Sequence, residues 1–371
     1  MQLRYFFLTI LLFLVSEDFS FAQQSTERKW TLPEGTIAHL GDGGINDIAY
    51  SPDGELLAVA GVNGIWLYDT GNGQEVAHYP RNGIFQSVTF SPDGKTLAGG
   101  ISGWVGAWDV ATGTLLDTQL ANNAAAISFS PDSQTLAFTY RLWNQIRLWV
   151  INNRSWRLTE YRDTASLSFA PDGSMLAGGA SNGEVYLCDV ATGRVRRTFE
   201  GHTDMVNSVA FSPSGLILAS AGLDQTVRLW NVITGTLRHT LEGHTFDVNS
   251  ISFSPDGKIL ASAGDQTVRL WSVITGRHLR TLYGHTGFVN SVSFSPEGKT
   301  LASAGSDGKI LLWSVGWAPA DLNRDDTVNI QDLVLVAGAI GHIGENEADV
   351  NGDGIVDIRD LVLVAGAFGE D

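Results

Sequence analysis

A short turn signal recurs along most of the chain at intervals close to forty residues. It reads Ser-Pro-Asp-Gly or a close variant, and its prolines lie 39 to 42 residues apart. The seven prolines are Pro52, Pro92, Pro131, Pro171, Pro213, Pro255 and Pro296. Proline presets φ for the second position of a turn, and Asp and Gly suit the positions that follow, so each copy predicts a connection between two strands. The regular period favours a stack of equivalent units.

Each turn lies between segments with strand character. Val206–Phe211 alternates before the fifth turn, and Ile217–Ser220 forms an apolar run after it. A third strand ends near one position in every repeat, occupied by Tyr68, Trp108, Trp149, Cys188, Trp230, Trp271 and Trp313. A turn such as Thr234-Gly235 and a more polar fourth strand usually follow. Four short strands cannot bury two sheet faces alone, so we expect an all-β ring of seven radially packed sheets.

Three repeats carry the same four side chains at matching offsets. They are His202, Ser220, Asp224 and Trp230; His244, Ser262, Asp265 and Trp271; and His285, Ser303, Asp307 and Trp313. Ser, His and Asp also form hydrolytic triads, but a triad needs one site, whereas this set occurs three times with its own Trp. A structural role is therefore predicted. Repeats one to four lack the histidine, so we expect packing to hold them more than hydrogen bonds do.

The combination of Gly-His, Ser-Pro-Asp-Gly, Leu-Ala-Ser, Asp and Trp resembles the WD-repeat family of β-propellers over about residues 29–316. The resemblance implies a seven-bladed propeller in which Trp, Ser, His and Asp are linked by hydrogen bonds. After Trp313 the sequence leaves no room for a fourth strand, whereas Lys29 to Leu40 is strand-like and has no blade of its own. We therefore predict that this N-terminal piece completes the last blade of a propeller domain at residues 23–317.

The C-terminal segment differs sharply in charge. From Ala320 onward it has 12 acidic and 2 basic residues, and two loops, 321–332 and 349–360, repeat 28 residues apart. Side-chain oxygens at loop positions 1, 3, 5, 9 and 12, with a backbone carbonyl at position 7, suit calcium. The predicted ligands are Asp321, Asn323, Asp325, Thr327, Asn329, Asp332, Asp349, Asn351, Asp353, Ile355, Asp357 and Asp360.

This duplicated loop-helix pattern is similar to a type I dockerin module over about residues 319–369, within a predicted all-α domain at 318–371. The resemblance implies two calcium ions and a cohesin-like partner. It assigns partner contacts to loop positions 10 and 11, which are Ile330, Gln331, Ile358 and Arg359. At position 6, Gly354 suits the sharp turn better than Asp326 does, so we expect the second loop to bind calcium more tightly.

The N-terminus has the layout of a secretory signal peptide at residues 1–22. An eleven-residue apolar run, Tyr5 to Val15, precedes Ser20-Phe21-Ala22, which suits cleavage before Gln23. The run is shorter than the roughly 20 residues of a membrane anchor, so a secreted protein without a transmembrane span is predicted. One cysteine allows no disulfide framework, and a net charge of −17 argues against nucleic acid as a partner.

The loops that carry the histidines and aspartates offer candidate anchors for a protein or a glycan. They are Met205, Phe246 and Phe288, with Trp104 and Trp143 in corresponding turns. Packing between blades is the alternative role for these side chains. Two functions follow: a non-enzymatic recognition propeller docked through its tail, or a component that binds or degrades polysaccharide. Residual acids such as Glu75, Glu160 and Asp247 share no motif that predicts a glycosidase pair, so the first is favoured.

Overall fold

The computed structural model describes residues 36–39, 44–121, 124, 126–140, 145–151, 155–159, 163–315 and 356. Their regular structure is almost entirely β. The strands are β1 Thr36–His39, β2 Asp47–Tyr50, β3 Leu56–Asp69, β4 Glu75–Phe90, β5 Thr96–Ile101, β6 Gly103–Asp109, β7 Leu115–Ala121, β8 Ile127–Phe129, β9 Thr135–Tyr140, β10 Gln145–Val150, β11 Ser155–Leu158, β12 Thr164–Phe169 and β13 Met175–Ala180. They continue with β14 Val185–Asp189, β15 Val195–Phe199, β16 Val206–Phe211, β17 Ile217–Gly222, β18 Val227–Asn231, β19 Leu237–Leu241, β20 Ser250–Phe253, β21 Ile259–Ala263, β22 Thr267–Ser272, β23 His278–Tyr283, β24 Val289–Phe294, β25 Thr300–Gly305 and β26 Lys309–Ser314.

These strands form an antiparallel β-propeller, which confirms the predicted all-β class. Among the described residues there are six sheets, five with four strands and one with six, ordered β2-β3-β4-β5-β6-β7. The prediction of seven separate blades is therefore wrong, because the first two repeats share the six-stranded sheet. Two elements cause this. β4 continues from the first repeat into the second. β3 folds back on itself near Asn63, which has a positive φ. The two ends of β3 therefore come together, and the Thr70 N–H donates to the carbonyl oxygen of Glu55 at 2.9 Å.

The first and last repeats meet at several places, among them the N-terminal strand and the turn at Gly54. In the sheet β1-β26-β25-β24, the N-terminal strand pairs antiparallel with β26, with Thr36 opposite Leu311 and His39 opposite Lys309. On the face that carries the turns, Gly54 lies close to Pro296. A Cβ atom at position 54 would be only 3.4 Å from the Cδ atom of Pro296. The fourth strand of this sheet therefore comes from the opposite end of the propeller sequence, and no open edge is left on β26.

The core lies between neighbouring sheets. One apolar cluster combines Val268 and Leu270 of repeat six with Val292 and Leu301 of repeat seven, and others cross each successive boundary. Second strands such as β17 are buried along almost their whole length, which explains their Leu-Ala-Ser runs. No helix in the part of the chain described here is long and apolar enough to cross a membrane.

Candidate functional site

The four-residue set of repeat five forms one buried hydrogen-bonded chain. Trp230 Nε1 donates to Ser220 Oγ at 2.8 Å, and Ser220 Oγ lies 2.7 Å from His202 Nε2. His202 Nδ1 lies 2.9 Å from an Asp224 carboxylate oxygen. The Asp224 carboxylate also accepts from Thr203 N–H at 3.2 Å. The chain thus joins the loop before β16 to the loop after β17.

Repeats six and seven repeat this geometry. Trp271 donates to Ser262 at 2.8 Å and Trp313 to Ser303 at 2.7 Å, and each serine contacts its histidine at 2.7 or 2.8 Å. The His244–Asp265 contact is longer, at 3.3 Å, in the repeat that has one residue fewer between serine and aspartate. All three predicted sets are therefore brought together as connected units.

The electrostatics fix the proton positions in these chains. Burial lowers the pKa of His202 and His285 and lowers that of His244 to about 4, so the imidazoles are neutral at pH 7. Burial alone would raise the pKa of Asp224, but its paired histidine and hydrogen bonds lower it overall. Nδ1–H of His202 therefore donates to Asp224, and Nε2 accepts the proton of the Ser220 hydroxyl.

The hydrogen bonds in this set run in the same order as in a hydrolytic triad, but the serine hydroxyl is not accessible to a substrate. Ser220, Ser262 and Ser303 are each completely buried, so no substrate can reach their hydroxyl oxygens. The Trp indole N–H also occupies one of the two lone pairs of the serine oxygen. The chemistry of the set is therefore structural: it satisfies buried polar groups and fixes two loops.

The earlier repeats replace the serine by other residues. Phe138 occupies its register in repeat three, opposite Arg147, and Trp149 Nε1 is buried without a hydrogen-bond partner among the described residues. In repeat four Gly178 leaves room for Tyr186, whose hydroxyl bonds instead to Thr164. Packing thus takes the place of the polar chain in these repeats.

A second network joins the innermost strands, and sequence reasoning missed it. Ser166 Oγ accepts from Val209 N–H at 2.9 Å, and Ser208 and Ser250 make the same contact with the next repeat, each at 3.2 Å. Asparagines add a parallel set: Asn290 Nδ2 donates to Ile45 O at 2.8 Å. The available signal was an Asn-Ser pair at the start of the inner strand in repeats five to seven.

Asp47 takes the serine position in repeat one. Its carboxylate accepts from Ser291 Oγ at 2.8 Å, from Val88 N–H at 2.9 Å and from Ile48 N–H at 3.0 Å. The residue retains some solvent exposure, yet burial of the carboxylate among β2, β4 and β24 raises its pKa to about 6, against the opposing effect of these hydrogen bonds. One acid therefore connects repeats seven, one and two.

Two predicted anchors lie exposed on the loops that precede β20 and β24. Phe246 is 55% exposed and Phe288 50%, and their rings meet at a centroid distance of 5.7 Å and an angle of 77°. Met205 is half-buried. These residues lie beside the histidines of the buried chains, so the polar network fixes the loops that present them.

Trp104 does not lie on this exposed surface, and its assignment as an anchor is corrected. It is only 7% exposed and packs edge-on against Trp108, with Phe85 nearby and the Arg81 guanidinium 3.8 Å above its ring. Gly106 leaves the space into which the indole fits. Trp143 lies outside the described residues.

The C-terminal predictions also fall outside the described residues. Val356, which lies between two predicted calcium ligands, is described and is buried. This applies to all twelve predicted ligands in the loops 321–332 and 349–360 and to Ile330, Gln331, Ile358 and Arg359. The donor set nevertheless fits calcium in its chemistry. Aspartate carboxylates and asparagine carbonyls supply side-chain oxygens, and position 7 of each loop supplies a backbone carbonyl, as a hard cation requires.

Comparison with known families agrees with the propeller class. The model for the WD domain, G-beta repeat, matches residues 32–66, 193–231, 235–272 and 276–314, and the anaphase-promoting complex subunit 4 WD40 domain model matches 127–208. The dockerin type I domain model matches residues 319–368. The chain is thus a WD-repeat β-propeller followed by a C-terminal type I dockerin domain. Dockerin domains generally bind calcium and cohesins.

The curated relatives are similar through their repeats. "Probable serine/threonine-protein kinase PkwA" of Thermomonospora curvata is 43% identical over 51 residues, 14% of this chain and 7% of that protein. "WD repeat-containing protein SL1-17" of Schistosoma mansoni is 36% identical over 106 residues, 28% and 35% of the two chains. "Small ribosomal subunit protein RACK1" of Caenorhabditis elegans is 31% identical over 106 residues, 27% and 33%. The chain therefore spans about a third or less of each. WD-repeat propellers of this kind are generally non-enzymatic scaffolds.

Proposed function

We propose that this protein is a non-enzymatic recognition module whose propeller binds a partner and whose dockerin domain attaches it to a cohesin-bearing scaffold or cell surface. The observation that carries the proposal is the position of Phe246 and Phe288. Both aromatic rings are exposed on loops that the buried His244 and His285 chains hold in place. Exposed aromatic side chains on rigid supports are the usual anchors of a binding surface.

The same loops favour a protein partner over a sugar. The two rings meet nearly at right angles and contact each other, so they offer an apolar wedge and no flat platform for stacking on a pyranose. Exposed acids lie on the Phe246 loop itself, namely Glu242 and Asp247, and Asp204 lies on the corresponding loop of repeat five. An apolar surface with this rim suits a partner segment that combines a large apolar side chain with basic residues.

The dockerin domain supplies the second half of the proposal. Its two loops hold one calcium ion each, the second more tightly because Gly354 stands where the first loop has Asp326. Calcium neutralises the clustered carboxylates and so favours folding of this domain. Ile330, Gln331, Ile358 and Arg359 then contact the cohesin-like partner.

The proposal also includes export and the domain limits, which rest on the sequence patterns described above. Residues 1–22 act as a signal peptide, residues 23–317 form the propeller and residues 318–371 the dockerin domain. The mature protein is secreted and is held at a surface through its scaffold. We expect no nucleic-acid partner and no transmembrane span.

The test is capture from the secreted fraction by the full chain, with calcium and with chelator. We expect a cohesin-bearing protein only with calcium, and a second partner that is lost in Phe246→Ser/Phe288→Ser but kept in Val76→Ser, which removes an equally exposed apolar residue elsewhere. Glycan-array binding lost with the two phenylalanines would favour the polysaccharide-binding function. Glycan hydrolysis by the purified chain would overturn the non-enzymatic assignment.

A further inference from the structure

The outer edge of repeats five and six carries an exposed apolar and basic area, which we call the edge surface and define by Leu216, Ile233, Ile274, Arg238 and Arg277. Leu216 is 52% exposed, Ile233 69% and Ile274 46%. The six other repeats have a polar residue at the position of Leu216: Glu55, Lys95, Gln134, Ser174, Lys258 and Lys299. Three exposed aliphatic side chains at this edge offer an apolar area to an occupant.

The edge surface extends over two repeats. Val232 N–H donates to Leu216 O at 3.0 Å, so Leu216 lies beside the loop that carries Ile233 within repeat five. His239 Nε2 lies 3.0 Å from Ile274 O. The outer strand of repeat five therefore contacts the loop of repeat six that carries Ile274.

The charge of this surface is positive. The outer strands β15, β19 and β23 contain Arg196, Arg197, Arg238 and Arg280 and no carboxylate, and exposed Arg277 directly precedes β23. Asp189 pairs with Arg196, but Arg238 and Arg277 have no ion-pair partner among the residues that the structure describes. An occupant that fits both features must combine negative charge with aliphatic side chains.

The register of the outer strands shows where such a segment is available. Side chains at one register of β11, β15 and β19 reach a carbonyl in the next repeat: Arg157 to Ala191 at 2.9 Å, Arg197 to Ile233 at 3.1 Å and His239 to Ile274 at 3.0 Å. The last described residue of repeat seven, Val315, packs in the apolar cluster between repeats six and seven. The C-terminal segment therefore follows a residue at the boundary of repeat six.

We infer that the acidic C-terminal segment, residues 320–371, docks on the edge surface of its own propeller. The segment carries 12 acidic and 2 basic residues, together with the aliphatic runs 333–336 and 361–364. Two bound calcium ions would offset four of its negative charges and leave it acidic. Because the segment is part of the same chain, its effective concentration at this surface is high and weak contacts suffice to hold it.

Hydrogen exchange on the full calcium-loaded chain tests this contact. We expect slow exchange in peptides covering 214–238 and 272–280 at low salt, and a several-fold acceleration in 1 M salt, which screens the charges. Arg277→Glu and Ile233→Ser should accelerate exchange in the same peptides. Lys95→Glu and Val76→Ser, matched changes in other repeats, should leave them unchanged.

A charge exchange makes the test specific to the C-terminal segment. Glu345→Lys/Glu347→Lys changes acids between the two calcium loops and should restore protection to Arg277→Glu. Exchange that is equally fast in the unaltered chain and in Arg277→Glu, without salt dependence, would overturn the inference. Protection that grows with protein concentration would also overturn it and would assign the surface to a second copy of the chain.

Discussion

The carboxylate of Asp47 accepts a hydrogen bond from the Ser291 hydroxyl at 2.8 Å and so joins the first repeat to the seventh. The equivalent residue is Ser208 in repeat five and Ser250 in repeat six. Their neutral hydroxyls accept a backbone N–H of the next repeat, as Asp47 accepts that of Val88. The boundary at which the ring closes therefore contains an ionisable carboxylate, whereas the equivalent positions in repeats five and six hold neutral hydroxyls. Its raised pKa shows that the protein maintains this charge at a cost in stability.

Replacement of Asp47 by serine should stabilise the protein at neutral pH. The folded pKa of about 6 exceeds the ordinary value of 3.8, so the stability contributed by protonated Asp47 is present below pH 3.8 and is lost as the pH rises through 6. Asp47→Ser should raise the free energy of unfolding by about 1–3 kcal/mol at pH 7.5 and by much less near pH 4. Thermal unfolding at both pH values measures this. Equal destabilisation at both would show that the carboxylate is a net stabilising contact.

The tryptophans of repeats three and five provide a matched pair. Trp230 Nε1 donates to Ser220, whereas Trp149 Nε1 is buried and has no hydrogen-bond partner in the part of the chain that the structure describes. Both Trp→Phe substitutions remove similar volume, but only Trp230→Phe leaves a buried serine short of a donor. Its cost should exceed that of Trp149→Phe by about 1–2 kcal/mol. Denaturant unfolding of the two variants decides this, and an equal loss would deny the polar chain a role in stability.

Acid should destabilise the propeller through its buried histidines. Because the pKa of His244 is lowered from 6.5 to about 4, the stability it contributes is complete above pH 6.5 and is lost as the pH falls toward 4. This amounts to about 3 kcal/mol for His244, and His202 and His285 act in the same direction. Titration of unfolding free energy between pH 7.5 and 4 should show a shallower slope in His244→Gln. An unchanged slope would mean that His244 is not buried in its neutral form.

Removal of β1 should weaken the whole propeller. The strand Thr36–His39 completes the sheet of the last repeat, so deletion of residues 23–40 exposes β26 and opens the ring. We expect a lower midpoint of thermal unfolding for the propeller as a unit. Deletion of residues 23–32 keeps β1 and serves as the control. A full deletion that melts like the control would show that closure does not depend on this strand.

Local pattern was sufficient to predict the strands, the turns and the buried polar chains. Each Ser-Pro-Asp-Gly turn and each His, Ser, Asp and Trp set lies within one repeat or at its border, so sequence spacing fixes its geometry. Contacts between repeats were not visible in the same way. The shared sheet arises because β3 and β4 continue through the connections that end strands elsewhere. Trp104 was assigned to the surface because the sequence shows that it lies at a turn. The sequence does not show that Trp104 packs against Phe85 and into the space left by Gly106.

Calcium titration of the full chain by calorimetry tests most directly the claim that an ion-dependent domain tethers this propeller. We predict two binding events, with the tighter one lost in Asp360→Ala and the weaker one lost in Asp332→Ala. Asn249→Asp, which adds a carboxylate within the propeller, should leave both events unchanged. The absence of calcium binding by the unaltered chain, or a single event that neither loop variant alters, would contradict the account.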